Sequence, residues 1–218
     1  MPGRYRVRLP DSVQLTYRQI VERADAAPAT ALPARIDWRT DGAAYRLDVD
    51  GVLGRLHSEG GGGDAGIVPH RATEERGDGA LVTEFDPDGA RVRFGAAGAE
   101  APFSTGMQDR ASLLLQLAGI GLGEPDQIQD RIDVAVAGGT EAAIVRFAVM
   151  GNETVATGIG PVAAWRLAEV AAPGQPRMEV WLAPAHDWLP VQVRISRSDG
   201  SVATQTLSAM VRGPTAAF

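Results

Sequence analysis

The chain has 218 residues, 44% of them hydrophobic, which is enough for one packed core that buries about 70% of the unfolded surface. Its net charge of −6 is spread without a basic block, which argues against a nucleic-acid-binding protein. Lysine and cysteine do not occur, so Schiff-base lysines, phosphate-loop lysines, thiol nucleophiles, disulfides and thiolate metal sites are excluded.

Alternating strands joined by tight turns are predicted along most of the chain. In AAYRLDVDG, Tyr45, Leu47 and Val49 face one way and the charged residues between them the other. This period of two, broken by Asp-Gly turns, is typical of antiparallel hairpins. The Asp-Gly pairs begin at Asp41, Asp50, Asp78, Asp88 and Asp199. The pattern predicts ten to twelve strands.

Three segments are predicted to lie outside the strands. The Ala/Pro-rich stretch 24–34 and the glycine-rich stretch 60–66 are predicted loops, and 213–218 is predicted to be a frayed tail. No change in composition separates domains. We therefore expect one domain over 1–218, with its ordered core at about 4–212.

One segment, STGMQDRASLLLQLAG, departs from the strand pattern. Leu113, Leu114 and Leu117 fall on one helical face, and Thr105 and Gln108 have the spacing of a capping box. These features predict an amphipathic helix from Gln108 to Ala118 that ends at Gly119. Such a helix cannot bury its leucines alone, so it should lie on a sheet or cover the end of a barrel.

The segment EVWLAPAHDWLPVQVRI is predicted to be a β-hairpin with a loop of about four residues. Trp181 falls on the more polar face of its first strand, together with Arg177 and Glu179. Three explanations stay open for this tryptophan. A helix or loop covers it, it lines a ligand cavity, or it is exposed for a partner.

Motifs for established chemistry are weak. GIGLG (119–123) follows a helix and not a strand, so we read it as a loop and not as a dinucleotide fingerprint. His57, His70 and His186 lack metal-ligand spacing, and we expect neither a metal nor a cofactor. A hydrolase built on Asp109, Glu153 or His186 is a minor alternative, since each residue has a simpler structural role.

Several segments together resemble the domain of unknown function 3108 family, exported proteins of Gram-negative bacteria. The resemblance covers about Tyr17 to Met210, and its most specific part is the WLAP…LPV segment. The matching segments are FDPDGARVRF, PFSTGMQDRASLLLQLA, GNETVATGIGPVAAWRL, EVWLAPAHDWLPVQVRI and SDGSVATQTL. The resemblance implies a β-rich domain and export to the periplasm, with the signal segment absent from this chain, but no catalytic residues.

We therefore expect an all-β antiparallel meander curled into a closed or half-open barrel, with the helix covering an opening. A two-sheet sandwich is the alternative. The expected function is non-enzymatic binding of a lipid or other apolar molecule in or at the mouth of the barrel, by Trp165, Trp181, Trp188, Leu113, Leu114 and Leu117. The alternative is an envelope protein–protein interaction or assembly module with a filled core. No apolar run is long enough to span a bilayer as a helix.

Overall fold

The computed structural model describes residues 4–30, 33–77, 79–95 and 98–213. These residues form sixteen strands and one α-helix, α1 (Ser112–Gly123), with two short 3₁₀ helices at Pro125–Gln127 and Pro184–His186. The strands are β1 (Val13–Arg23), β2 (Ala26–Thr30), β3 (Ala34–Thr40), β4 (Ala44–Gly51), β5 (Gly54–Gly63), β6 (Gly66–Arg76), β7 (Gly79–Asp86), β8 (Arg91–Phe94), β9 (Ala99–Pro102), β10 (Gln108–Asp109), β11 (Arg131–Gly138), β12 (Glu141–Thr157), β13 (Gly160–Glu169), β14 (Arg177–Ala183), β15 (Leu189–Ser196) and β16 (Val202–Arg212).

A single sheet, antiparallel except for one pair, contains all of these strands. Hydrogen-bonded neighbours follow the order β10-β11-β12-β13-β14-β15-β16-β1-β3-β4-β5-β6-β7-β8-β9, and β2 pairs with β1 off this path. The pairing of β10 with β11 is parallel, and within the described residues the path does not close. The architecture is thus the predicted half-open barrel, with more strands than the ten to twelve expected.

The two ends of the sheet overlap. In β11, Val134 and Val136 belong to the main core, whereas Ala135 and Ala137 alternate with them and therefore face the other way. This second face packs against Phe85 and other residues of a smaller apolar cluster from β6, β7 and β8. One end of the sheet therefore covers the outside of the other, which hides apolar surface that an open barrel would expose.

The helix α1 fills the concave space of the sheet. Every residue from Ser112 to Gly121 is buried, and Leu114 and Leu117 are fully so. The helix thus lies against the sheet as predicted, but because it is buried on all sides it lacks the exposed polar face of the predicted amphipathic helix. No helix among the described residues is long and apolar enough to span a bilayer.

The predicted helix bounds, Gln108 to Ala118, were also wrong at both ends. Gln108 and Asp109 pair with β11 instead, and the Gln108 amide donates to the Ile67 carbonyl oxygen at 2.8 Å. The carboxylate of Asp109 accepts the backbone N–H groups of Ala111 and Ser112 at 2.7 and 3.0 Å, the role expected of Thr105 and Gln108. The polar side chains before the helix thus hydrogen-bond to backbone groups of a neighbouring strand and of the turn that leads into α1.

The segment GIGLG (119–123), predicted to be a loop, lies inside α1, and its glycines admit close neighbours. A Cβ at Gly119 would overlap Val7, and one at Gly123 would overlap the Arg6 carbonyl, where the N-terminal segment crosses the helix. The backbone N–H of Arg8 donates to the Gly119 carbonyl at 3.0 Å. The glycines are therefore packing positions, and the predicted helix end at Gly119 was wrong because tertiary packing offsets its low helix propensity.

Two predicted loops contain strands. Segment 24–34 includes β2, and segment 60–66 holds the end of β5, a two-residue turn and the start of β6. A Cβ at Gly60 would overlap the backbone of β6, so this glycine-rich stretch marks close strand packing. Of the predicted tail, Gly213 donates to the Ser12 carbonyl at 2.9 Å. Residues 214–218 lie outside the described part.

The five predicted Asp-Gly turns have three outcomes. Those at Asp41, Asp88 and Asp199 join consecutive strands as predicted. At Asp50 the turn instead falls two residues later, because Gly51 still pairs with Gly54 in the ladder. The pair at Asp78 involves a residue outside the described ones. The predicted C-terminal hairpin is confirmed as β14 and β15, with a five-residue connection from Pro184 to Trp188.

Candidate functional site

An apolar groove opens between the first turn of α1 and the concave face of the sheet. It has a volume of about 290 Å³. We call it the mouth groove, and its apolar lining comprises Leu53, Leu113, Val136, Ala143, Val145, Pro176, Met178 and Ile195. These side chains come from the β4–β5 turn, α1, β11, β12, β14, β15 and the segment before β14. Such a lining suits an apolar ligand.

The fold leaves this groove open because α1 begins there, at Ser112. Val145 and Ile195 point inward from β12 and β15. They lie past the N-terminal end of α1, so they pack only partly against the core. Leu53 does the same from the tip of the β4–β5 hairpin. The groove therefore ends on the packed core, since Leu114 and the leucines after it occupy the space further in.

A second hollow of about 470 Å³ continues the mouth groove in one direction. The two share Leu53, Arg110, Pro176 and Ile195 in their linings. The continuation adds the β15–β16 turn, which carries Arg197, Ser198 and Asp199. Glu141 pairs with Gly138, which lies against Arg110, so this carboxylate belongs to the Arg110 end of the groove. Glu169 pairs with Phe147, six residues further along β12. Acids and arginines are therefore mixed along the groove, since Glu169 accepts the backbone N–H of Met178, next to the groove-lining Arg177.

Arg110 is held in place by a buried carboxylate. Its guanidinium lies 2.9 Å from the carboxylate of Glu74, whose side chain faces inward from β6. Glu74 also contacts Arg76 at 3.2 Å and accepts the backbone N–H of Gly139 at 3.1 Å. Burial opposes ionisation of Glu74, but the charge of Arg110 and these hydrogen bonds outweigh it and lower its pKa. Glu74 thereby joins β6, the start of α1 and the β11–β12 turn.

The structure separates the six predicted ligand-binding residues. Leu113 lines the mouth groove, whereas Leu114 and Leu117 are enclosed in the core. Trp188 is buried against Gly121 of α1, where an added Cβ would overlap its indole. Trp165 lies on the inner face of β13, opposite Leu182 and four residues from the groove-lining Glu169. Only Leu113 of the six lies in the groove lining given above.

Trp181 lies on the outer face of β14 and is only 1% exposed. The guanidinium groups of Arg166 and Arg194 lie over its ring at 5.4 and 5.2 Å, and its indole N–H donates to Glu153. The tip of the long β12–β13 hairpin bends across this face, with the N–H of Gly158 donating to the Leu207 carbonyl at 2.8 Å. A hairpin and two arginines thus cover this tryptophan.

Beside Trp181, Glu179 is the most enclosed acid of that face. Its carboxylate accepts hydrogen bonds from Arg166 at 2.5 and 3.0 Å and from Arg177 at 2.9 Å, and Arg194 lies at 3.7 Å. Burial opposes its ionisation, but Arg166 and Arg177 outweigh that effect and lower the pKa of Glu179. The arrangement is a closed charge cluster that holds three strands together.

The three residues of the hydrolase alternative each have a separate structural role. Asp109 is buried, accepts a hydrogen bond from the Ser58 hydroxyl at 2.5 Å and closes the turn before α1. Burial raises the pKa of Asp109, and the hydrogen bonds from Ser58 and Ser112 oppose this. Glu153 accepts from Trp181, and His186 lies in a short 3₁₀ helix. Among the described residues, no hydrogen bond joins any two of the three.

The described ranges contain no cluster of metal ligands. Within 4–30, 33–77, 79–95 and 98–213, no group of three or more His, Asp or Glu residues could hold a metal ion. His57 contacts Asp48 at 2.7 Å and Glu59 at 3.6 Å on the outer surface.

Sequence reasoning missed most of the mouth groove. Leu53, Val145 and Ile195 each look like ordinary strand or turn residues, and Arg110 looks like one of many exposed arginines. A weak signal exists for Leu53, because an apolar residue in a two-residue turn is unusual and needs a contact. The other positions become neighbours only when the sheet curls.

Comparison with known proteins supports the fold. A β-barrel-like protein of the DUF1849 domain from Brucella abortus superposes with a TM-score of 0.63 at 10% identity, over 95% of this chain and 100% of that one. MucB gives a TM-score of 0.34 at 16% identity over 95% of this chain and 55% of its own. A LolA superfamily protein from Nitrosomonas europaea gives 0.27 at 8% identity over 95% and 89%. Only the first similarity is close enough to bear on the architecture.

Among curated proteins, none matches this chain. A family described as a protein of unknown function, DUF3108, matches residues 12–208, nearly the whole barrel. The predicted resemblance is therefore confirmed, and the chain belongs to the DUF3108 family.

Proposed function

We propose that this protein is a non-enzymatic binding protein of the periplasm that holds an apolar chain in the mouth groove. The observation that carries the proposal is the groove itself, because eight apolar side chains line a concave opening at the end of the barrel. Isolated exposed apolar residues are common on protein surfaces, whereas a concave cluster of them indicates a ligand or a partner.

The size of the groove supports a single alkyl chain. At about 290 Å³ it lies at the lower limit of small-molecule sites. Each methylene that enters adds about 0.8 kcal/mol, which is about fourfold in affinity. Affinity should therefore rise with chain length and level off once the chain meets Leu114 and the filled core.

The role proposed for the six predicted residues changes accordingly. Leu113 would touch the ligand directly. Leu114 and Leu117 would form the packed floor behind it, and Trp188 would fix the other end of α1 through Gly121. Trp165 and Trp181 would stabilise the packing of β13 and β14 and would not touch the ligand.

A variant of Ala143 tests the site. Ala143 is exposed on the inner face of β12 and lines the groove, so Ala143→Trp should fill it without disturbing the core. Ala163→Trp is the matched control, since Ala163 is an exposed strand alanine on β13 near the hairpin tip.

Lipid extraction and native mass spectrometry of protein purified from its own host provide the measurement. We expect a bound lipid in the wild type and in the Ala163 variant, and its loss in Ala143→Trp. Equal retention by all three proteins, or no lipid in any of them, would count against a site in the mouth groove.

A second candidate, an assembly module of the cell envelope, is favoured by the filled interior. The helix occupies the space that a deep ligand would need, so recognition would occur on the outer surface. Crosslinking in cells tests this candidate. A defined protein partner that Ala143→Trp still captures, with no lipid in the wild type, would favour it over the binding protein.

The proposals of export and of a non-enzymatic role have separate support. The family resemblance implies export, and osmotic-shock fractionation of cells that express the full gene tests it. For the non-enzymatic role, the support is that Asp109, Glu153 and His186 are held apart in structural contacts.

A further inference from the structure

We propose that Leu53, at the tip of the β4–β5 turn, limits the length of the apolar chain that the mouth groove accepts. Its side chain forms a constriction between the groove and the second hollow, so a chain that fills the groove stops there. This inference rests on the proposed function. It adds the length of the ligand and the residue that sets it.

The β4–β5 turn projects into the mouth of the barrel. Gly51 and Gly54 pair with each other, so Val52 and Leu53 form the whole of the turn. Val52 is only 4% exposed and belongs to the main core, which directs the tip inward and not toward water. Leu53 follows at the edge of the core, where it is partly buried. Two apolar residues thus lie across the opening.

Gln205 holds this turn in place from the other side of the mouth. Its side chain is 1% exposed, and its amide oxygen accepts the backbone N–H of Val52 at 3.0 Å. Because β1 and β3 lie between β16 and β4 in the sheet, this bond spans the concave side. A buried amide is costly unless it is hydrogen-bonded, and the Val52 contact meets this need. A Cβ at Gly51 would overlap the same oxygen, so the close approach depends on glycine there.

The contact with Gln205 places Leu53 beside Ile195. Gln205 pairs with Val193 of β15, and Ile195 lies two residues further along the same inward face. Leu53 follows the backbone group that Gln205 holds, so it lies near Ile195. Both side chains line the mouth groove and the second hollow, as does Pro176. Leu53 on one side, with Ile195 and Pro176 on the other, therefore forms the border between the two hollows.

Shortening Leu53 would join the hollows along apolar walls. The second hollow contains Val52, Pro176 and Ile195 beside the polar β15–β16 turn. Leu53→Ala removes a volume of about three carbon atoms, so about three methylenes of a longer chain could enter the space that it leaves. With Leu53 in place, a chain that has reached the border gains no further apolar contact.

A series of neutral single-chain probes tests this constriction. Octyl, decyl, dodecyl and tetradecyl maltoside, each kept below its micellar concentration, would be titrated into the whole chain by isothermal titration calorimetry. The variants are Leu53→Ala, which opens the border, and Leu53→Phe, which keeps it closed. Leu122→Ala is the matched control, because Leu122 is a partly buried leucine at the other end of α1, outside both linings. Circular dichroism melts establish that each variant is folded.

The wild type should bind about fourfold tighter for each added methylene until the groove is full, and equally well beyond that length. In Leu53→Ala the levelling point should move to chains about three carbons longer. The affinity for tetradecyl relative to octyl maltoside should thus be about tenfold higher in this variant than in the wild type. Leu53→Phe should level off no later than the wild type, and Leu122→Ala at the same length.

Three results would contradict the inference, and they are distinguishable. An unchanged levelling point in Leu53→Ala would overturn the constriction and leave the proposed binding site standing. A greater loss of affinity for the longer probes in Leu53→Ala would also overturn it, because Leu53 would then hold the chain and not stop it. No binding of any probe to the wild type would overturn the proposed function together with the role of Leu53.

Discussion

The charge cluster around Glu179 gives the sharpest prediction about stability. Its side chain is only 4% exposed and contacts Arg166, Arg177 and Arg194. The variant Glu179→Gln keeps the shape, removes the negative charge, and turns an amide NH₂ toward groups that can only donate hydrogen bonds. Three arginines would then lie together without their shared acid.

The size of the expected destabilisation follows from how deeply Glu179 and its three arginine partners are buried. Removing one partner of a buried ion pair costs about 3–5 kcal/mol. The arginine side chains are 29–44% exposed, so water screens part of that loss, and we expect about 2 kcal/mol. For a chain of this size each 1 kcal/mol lowers the melting temperature by about 2–4 °C. The expected decrease is therefore about 4–8 °C at pH 7.

The same cluster gives a pH dependence of defined sign. The pKa of Glu179 lies below its ordinary value in the folded protein, because Arg166 and Arg177 outweigh the effect of burial. Its contribution to stability is then complete above the ordinary glutamate pKa of about 4.3 and is lost as the pH falls through the folded value. The difference in stability between wild type and Glu179→Gln should therefore shrink from pH 7 to pH 3.

Thermal melts followed by circular dichroism measure both effects. Glu100→Gln is the matched control, since Glu100 pairs with Arg93 across two strands at 2.9 Å but is half exposed. Exposed pairs contribute little, so this variant should melt with the wild type. The reasoning fails if Glu179→Gln melts at the wild-type temperature, or if its deficit stays constant down to pH 3.

Two further predictions concern the packing of α1. Leu114→Ala should lower the free energy of unfolding in urea by about 3 kcal/mol, because the side chain is fully buried and a cavity would remain, and a loss below 1 kcal/mol would contradict a filled interior. Gly121→Ala should destabilise the protein by about 1–3 kcal/mol in the same assay, although alanine favours helices, because its Cβ would overlap the Trp188 indole. A stabilised variant would refute that contact.

The strands were predictable where local chemistry decides the structure. The turn at Asp41 needs a left-handed residue, and Gly42 has a φ of 92°. Alternation at Tyr45, Leu47 and Val49 then fixes which face is buried, as all three are. These signals act over a few residues, so they are visible in a single sequence.

The limits of α1 depended on distant parts of the chain. Gln108 could begin a helix, but Ile67 and β11 offer it a pairing that only the fold creates. Gly119 could end a helix, but Val7 crosses there and needs the space. The local preference of a residue to begin or end a helix is weak compared with the tertiary contacts that compete with it.

The position of α1 also explains why the candidate site lies at the barrel mouth. A barrel of this strand number could enclose a large ligand cavity, yet Leu114, Leu117 and Ile120 are fully buried within it. The space before Leu113 stays open, and Glu74 holds Arg110 at that boundary at 2.9 Å. A proposed ligand longer than the groove would therefore have to extend outward or displace the helix, and displacement would break the contacts of Asp109 and Glu74 together. The geometry therefore favours the outward path for the proposed ligand, because that path leaves both sets of contacts intact.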